Sequence, residues 1–143
     1  MRIKRSLGAA AVLATAVTAL AVPQAEAGQA APAPASVQAK SPTVSPSTGH
    51  APIYNDAGLI SCQVGSLCTA VWDPARGQWR VDRFEKCGTY YLSYWEGAGT
   101  YINNQTGGAV GKFIRADETS KKAPADNKSH PINWSEFWSI KPC

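Results

Sequence analysis

The alternation of apolar and polar residues after residue 50 predicts an all-β domain. No stretch there repeats apolar residues at helical spacing over three turns, whereas short apolar or alternating runs recur about every 8 to 12 residues. Residues 116–131 are mostly polar and are predicted to form a long loop. The predicted strands span residues 67–72, 79–84, 89–92, 100–103, 109–115 and 136–140. Many short strands of this kind are typical of a β-sandwich or barrel.

The residues between these predicted strands have the chemistry of tight turns. Asp73 precedes Pro74, so its carboxylate can accept a backbone N–H in a turn whose φ the proline pre-sets. Residues 103–108 supply the Asn and Gly that tolerate positive φ in a hairpin. Phe84 breaks the alternation within 79–84, which predicts a β-bulge there.

Composition divides the chain into a part that can form a core and a part that cannot. All four cysteines, all five tryptophans and all three phenylalanines lie between Cys62 and Cys143. Residues 28–50 contain prolines among Ala, Ser and Thr and no aromatic residue, which predicts a disordered linker. A cell-wall spacer and a pro-segment are both compatible with that linker, and the sequence leaves open whether it is retained. The predicted folded domain therefore covers residues 51–143.

The first 27 residues have the pattern of a secretory signal peptide. Basic residues at positions 2, 4 and 5 precede an uncharged run over 7–22, and Ala25 and Ala27 have the small side chains that signal peptidase requires. A membrane anchor is the alternative, but the run is shorter than the roughly 20 residues of a spanning helix and is rich in Ala. We therefore expect cleavage after Ala27, a secreted extracellular protein, and no membrane partner after cleavage.

The charge of the chain is too small to predict a nucleic-acid partner. The full chain has a net charge of +4, and the predicted signal contributes three positive charges and one negative charge, which leaves +2. The densest basic stretches are Lys121 with Lys122, and residues 76–83. The second stretch also contains Asp82, which favours a solvated strand face over a track for phosphates.

The four cysteines predict two disulfides, because an exported chain enters an oxidising compartment. Four cysteines allow three pairings. Cys62 and Cys68 are close in sequence, and Gly65 between them permits a tight reversal. We therefore favour a Cys62–Cys68 bridge, which leaves Cys87 and Cys143 to join the middle of the domain to its last residue.

The two histidines argue against a zinc site and against catalysis. His50 lies in the predicted linker and His130 in the predicted polar loop, and the cysteines lack the Cys-x2-Cys spacing of zinc sites. A nucleophile with a general base needs a histidine that the core positions. The carboxylates that could act as a glycosidase pair stand in no motif; they are Asp73, Asp82, Glu85, Glu96 and Glu136. We predict no catalytic residue, no metal, no cofactor and no enzyme activity.

Several local patterns together resemble a known group of domains. Residues 62–72 read Cys-x2-Gly-x-Leu-Cys-x3-Trp, followed by Gly77. Further patterns are Cys-Gly-Thr-Tyr at 87–90, Leu-Ser-Tyr-Trp at 92–95, Tyr-Ile-Asn-Asn-Gln-Thr-Gly at 101–107 and Phe-Trp-Ser-Ile-Lys-Pro-Cys at 137–143. In this order they resemble secreted bacterial βγ-crystallin-like domains of the metalloproteinase-inhibitor type. The resemblance covers residues 59–143 and implies a Greek-key domain of two sheets.

Two departures from the group's pattern change what the resemblance implies. The crystallin hairpin has a second aromatic residue before its glycine, whereas here that residue is absent or displaced to Trp79. Calcium-binding members carry acidic and hydroxyl residues after the aromatic position, but after Trp95 only Glu96 and Thr100 could supply side-chain oxygens. Because calcium takes about six to eight oxygen ligands, we predict no tight calcium site.

By association, the resemblance implies a secreted inhibitor of extracellular metalloproteinases. We expect the protein to be a monomer. A rigid disulfide-tied loop can occupy a peptidase cleft with little loss of conformational entropy. The candidate loops are 62–68, 73–77 and 116–131, and no reactive bond is assigned among them.

The alternative function is a non-catalytic module that binds carbohydrate or the cell envelope. Five aromatic residues could supply a sugar-stacking face, although a small core needs such residues as well; they are Tyr90, Tyr91, Tyr94, Trp95 and Trp134. Alternation along the predicted strand points Tyr90 and Tyr91 to opposite faces, so one of the two is expected to be exposed.

Overall fold

The computed structural model of the protein describes residues 38–58 and 61–143. The predicted signal peptide and residues 28–37 of the predicted linker lie outside this part. Within it, no helix is long and apolar enough to cross a membrane. Its elements are β1 (Thr43–Ser45), β2 (Ile53–Asn55), β3 (Ser66–Asp73), β4 (Gln78–Phe84), β5 (Tyr90–Ser93), β6 (Ala98–Asn104), β7 (Val110–Ile114), β8 (Ser120–Pro124), β9 (Ser129–Asn133), a 3-10 turn (Trp134–Glu136) and β10 (Ser139–Lys141).

The strands form two antiparallel sheets, which confirms the all-β, two-sheet prediction. Sheet A has the strand order β1-β5-β10-β7-β8, and sheet B has the order β2-β4-β3-β6-β9. Alternation along each strand sends one set of side chains inward and the other outward. The Tyr90–Tyr91 prediction is confirmed, because Tyr90 is buried and Tyr91 is exposed.

The core lies between the inner faces of the two sheets and is built around aromatic rings. Phe113 and Trp134 are fully buried, and their rings meet edge-to-face with centroids 5.4 Å apart. Trp134 donates its indole N–H to the carbonyl of Ala70 at 2.7 Å, which satisfies the one polar atom of the ring. Leu67 and Ile140 complete the apolar contacts on either side.

The predicted bulge at Phe84 is wrong, since β3 and β4 pair in unbroken register along β4. Phe84 is buried in the core, and Arg80 and Asp82 share its side of the strand. Arg80 binds both carboxylate oxygens of Asp82, at 2.7 and 2.8 Å. Burial opposes the charge of Arg80, but these hydrogen bonds raise its pKa. A buried ion pair therefore occupies positions that an apolar pattern would assign to the surface.

The predicted loop over 116–131 is also wrong, because it contains β8 and the beginning of β9. Both lie at sheet edges, and each buries a single apolar side chain, Ala123 in β8 and Ile132 in β9. The remaining positions of these strands are mostly polar or proline, as edge strands permit. A strand with a single buried apolar residue lacks the alternation of apolar and polar residues from which a strand is predicted.

Residues 38–50 belong to the folded unit, so the predicted domain start at residue 51 is too late. β1 pairs with β5, and Trp95 donates its indole N–H to the carbonyl of Thr43 at 3.0 Å. Arg80 donates to the carbonyl of Pro42 at 2.6 Å. Pro42 is also fully buried and Val44 packs against the core. Because the segment contains few other apolar residues, its composition predicted disorder.

The cysteines form the two bridges that their spacing favours, Cys62–Cys68 and Cys87–Cys143. Cys87 lies shortly before the beginning of β5, and Cys143 lies shortly after the end of β10. The second bridge joins them over a sequence separation of 56. It therefore links the ends of two neighbouring strands of sheet A. The first closes a short loop at the beginning of β3.

Candidate functional site

The Cys62–Cys68 loop, comprising residues 62–68, presents an apolar side chain to solvent at its tip. Ser66 N–H donates to the carbonyl of Gln63 at 3.2 Å, which closes a tight turn. Gly65 has φ of +89°, a conformation that an L side chain rarely adopts. Val64 lies beside it, and 74% of its surface is exposed. The loop therefore carries a large apolar group that nothing in the described structure covers.

Hydrogen bonds to neighbouring strands fix the position of this loop. Gly65 N–H donates to the carbonyl of Asn104 at 2.8 Å, and the Asn104 side chain donates to the carbonyl of Cys62 at 2.9 Å. On the other side, the Arg83 guanidinium donates to the side-chain oxygen of Gln63 at 2.5 Å. The disulfide and these three bonds hold Val64 in one arrangement.

Arg83, Glu85 and His50 form a polar cluster beneath the Cys62–Cys68 loop. The Arg83 Nε lies 2.9 Å from a carboxylate oxygen of Glu85, and a terminal nitrogen of Arg83 lies 2.9 Å from Nδ1 of His50. His50 Nε2 lies 3.0 Å from the other Glu85 oxygen. These contacts fit the neutral Nε2–H tautomer, which donates to the carboxylate and accepts from the guanidinium. The hydrogen bond from His50, with the charge of Arg83, lowers the pKa of Glu85 below its usual range.

His50 thus lies in the folded domain and not in a linker as the sequence predicted. Few apolar residues precede it, so no pattern revealed its contact with β4. His130 is likewise on strand β9, where its ring stacks on Tyr101 and its Nε2 lies 2.9 Å from Asp126. Neither histidine adjoins two further metal-ligating side chains within the described ranges, where no group of three His, Cys, Asp or Glu could hold a metal.

The other two candidate loops lack the features of the Cys62–Cys68 loop. In the 73–77 turn, Asp73 is fully buried and accepts N–H bonds from Ala75 at 3.0 Å and Arg76 at 3.3 Å, which confirms the predicted turn chemistry. Its carboxylate also accepts from the Ser41 hydroxyl at 2.9 Å, so it anchors the residues before β1. The 116–131 segment is divided by β8 and β9 into short turns.

The candidate carboxylates are dispersed across the fold. Asp82 is bound by Arg80, and Glu136 accepts from Arg115 at 2.9 Å. Glu85 belongs to the cluster beneath the loop, while Glu96 lines a surface cleft near Trp72. The predicted carboxylates are therefore not gathered into an acid–base pair at one site.

That cleft is a second candidate site, with a volume of about 590 Å³. Two aromatic rings line it: Trp72 is 40% exposed and Tyr94 is 49% exposed. Tyr94 has φ of +60°, which is uncommon for a residue other than glycine. Lys40 donates to its hydroxyl at 3.2 Å and lies 4.8 Å from its ring centroid. Polar side chains of Glu96 and Ser135 border the rings.

The structure separates the five aromatic residues proposed for sugar stacking. Tyr90, Trp95 and Trp134 are buried in the core, whereas Tyr91 and Tyr94 are exposed. Trp72 was not among the predicted binding residues. It faces outward between the buried Val71 and Asp73 of β3. No local pattern distinguishes it from the buried residues on the same face, Cys68 and Ala70.

Comparison with known proteins identifies no relative: no protein family, no curated protein and no solved structure matches this chain.

Proposed function

We propose that the protein is a secreted, monomeric, non-catalytic inhibitor of an extracellular peptidase and that the Cys62–Cys68 loop enters the peptidase cleft. The observation that carries this proposal is the exposed Val64 at the tip of a disulfide-closed loop. A peptidase with an apolar specificity pocket would bury this side chain. Full burial of a Val side chain is worth about 1.5 to 3 kcal/mol.

Preorganisation of the loop supports inhibition over cleavage. Binding a flexible segment costs about 0.5 to 1.5 kcal/mol for each side chain that becomes ordered, whereas this loop is already held by its bridge and by bonds to Asn104 and Arg83. Gly65 also turns the backbone away from the extended course that a peptidase requires in a substrate. We include in the proposal the finer fold assignment, a βγ-crystallin-like Greek-key domain.

Inhibition assays against a thermolysin-like metalloproteinase and a subtilisin-like serine peptidase test this proposal. We expect V64D to weaken inhibition of the metalloproteinase by about tenfold to a hundredfold, because a carboxylate must lose water to enter an apolar pocket. The matched control is V110D, which changes an exposed valine on sheet A. If folded protein at micromolar concentration inhibited neither enzyme, the proposal would be wrong. If V64D and V110D had equal effects, the Cys62–Cys68 loop would not be the inhibitory segment.

A second candidate function, non-catalytic binding of carbohydrate or the cell envelope, is favoured by the Trp72–Tyr94 cleft. Exposed aromatic rings stack on the apolar faces of sugars, while Lys40, Glu96 and Ser135 could bind hydroxyl groups. Pull-down with chitin, cellulose and peptidoglycan tests this function. We expect W72A to abolish retention and W138A, which removes another exposed tryptophan, to leave it unchanged. Equal retention of both variants would mean that the Trp72–Tyr94 cleft is not the binding site.

A further inference from the structure

Three lysines form a row across the outer face of sheet A. Lys112 lies between two cross-strand partners, Lys141 on β10 and Lys122 on β8. All three are exposed, whereas Phe113 and Ala123, which follow Lys112 and Lys122, are fully buried. Since neighbouring strands are about 4.8 Å apart, the row extends over roughly 10 Å.

The charge of this lysine row is not balanced within the described part of the chain. Like charges directly opposite each other on neighbouring strands are destabilising. None of the three lysines forms an ion pair with a described carboxylate. In the adjacent β7–β8 turn, Asp117 accepts from the Thr119 hydroxyl at 2.6 Å. The lysine row therefore presents three like charges to solvent, and a bound anion would offset their mutual repulsion.

Lys121, next to Lys122 in sequence, shows that this arrangement is specific to one face. Its ammonium group lies 5.6 Å from the centroid of the Tyr101 ring and donates to the carbonyl of Pro131 at 3.5 Å. The pair of adjacent lysines noted in the sequence is therefore divided between the two faces of β8. Only Lys122 contributes to the row.

An aromatic ring lies on the same outer face beside the row. Tyr91 on β5 is 54% exposed and is directly opposite Ser139 on β10, two residues before Lys141. Diagonal neighbours of this kind are about 7 to 8 Å apart, within reach of long and aromatic side chains. The face thus combines a stacking surface for a sugar ring with cations spaced at about the length of one such ring.

We propose that the outer face of sheet A binds an acidic polysaccharide, with its carboxylates on the Lys112–Lys122–Lys141 row and one sugar ring on Tyr91. Charge complementarity identifies the anion, and the exposed ring identifies the sugar. A nucleic acid is disfavoured because the charge remaining after the predicted signal is small and the row contains no arginine. This surface is separate from the Cys62–Cys68 loop on sheet B, so the inference does not depend on peptidase inhibition.

Binding of fluorescent polygalacturonate to the purified full-length protein tests the inference, with neutral dextran as the reference polymer. We expect K112Q/K122Q to lower the affinity at least about tenfold. The control K121Q/K128Q removes the same charge from positions outside the row and should change the affinity less than about threefold. Salt should weaken wild-type binding, since exposed charges are screened. Equal losses in the two double variants, or equal binding of polygalacturonate and dextran, would overturn the inference.

A second ligand, inorganic polyphosphate, separates recognition of the sugar from attraction of charge. We expect Y91S to weaken polygalacturonate binding about fivefold, because stacking on an aromatic ring is lost, and to leave polyphosphate binding unchanged. If Y91S affects neither ligand, or if duplex DNA binds more tightly than polygalacturonate, the assignment to an acidic polysaccharide is wrong. Thermal unfolding provides the folding control: removal of like charges should leave K112Q/K122Q at least as stable as wild type.

Discussion

The two disulfides connect regions of very different kinds. Cys62–Cys68 closes a loop with a sequence separation of 6, whereas Cys87–Cys143 spans a separation of 56. In the chain-entropy model these bridges are worth about 2 and about 4 kcal/mol respectively. The long bridge therefore contributes mainly to the stability of the domain. The short one holds an exposed loop in shape, so its contribution should be seen in binding more than in unfolding.

The largest expected effect is the loss of stability in C87S/C143S. We expect the free energy of unfolding to fall by about 4 kcal/mol, because the unfolded chain regains the freedom that the long bridge removes. Urea denaturation monitored by tryptophan fluorescence measures this change. If the free energy of unfolding fell no further in C87S/C143S than in C62S/C68S, the claim that the long bridge contributes more to stability would be wrong.

C62S/C68S should lose about 2 kcal/mol, as expected for a short closed loop. The remaining bonds from Asn104 and Arg83 should keep the loop near its native position in part of the molecules. The same urea titration gives this value. A loss of about 4 kcal/mol or more would mean that the short bridge supports the whole domain.

The third prediction compares two glycines that have positive φ and open space where a side chain would begin: Gly65 in the loop and Gly77 in the β3–β4 turn, at the other end of β3. Alanine at either position costs about 1 to 2 kcal/mol, because it must adopt a left-handed conformation. G65A and G77A should therefore lose similar stability in urea, while only G65A should also weaken peptidase inhibition. Equal inhibition by both variants would mean that the Cys62–Cys68 loop takes no part in peptidase inhibition.

The smallest effect concerns the cluster beneath the loop and depends on pH. Because the folded state lowers the pKa of Glu85, its stabilising contribution is present above the unfolded pKa and is lost as the pH falls through the folded value. E85Q should therefore melt below wild type at neutral pH, and the difference should shrink in acid. E96Q, which changes an exposed carboxylate outside the ion pairs, is the control and should show no such trend. If the melting temperatures of E85Q and wild type differed by the same amount from neutral pH to acid, the claim that ionised Glu85 stabilises the fold through its contacts in the cluster would be wrong.

The sequence predicted the elements that have strong apolar periodicity and missed those that polar contacts hold. Strands β3 to β7 coincide largely with apolar or alternating runs. β1 and β8 do not, because each buries few apolar side chains and lies at a sheet edge. The buried Arg80–Asp82 pair produced the wrong bulge prediction, since a charged residue in a core position looks like a surface residue.

The candidate site could be predicted only in part for a related reason. The spacing of Cys62 and Cys68, with Gly65 between them, identified the short bridge and its turn. The exposure of Val64 and the support from His50 depend on contacts between residues far apart in sequence. No local pattern encodes such contacts.

The most direct test of the loop's role is the inhibition constant of C62S/C68S, measured at a temperature and urea concentration where circular dichroism shows the variant fully folded. We predict at least about tenfold weaker inhibition of a metalloproteinase than by wild type, because the freed loop must be ordered on binding. Inhibition equal to wild type by the fully folded variant would contradict the claim that the short disulfide serves the loop's binding function.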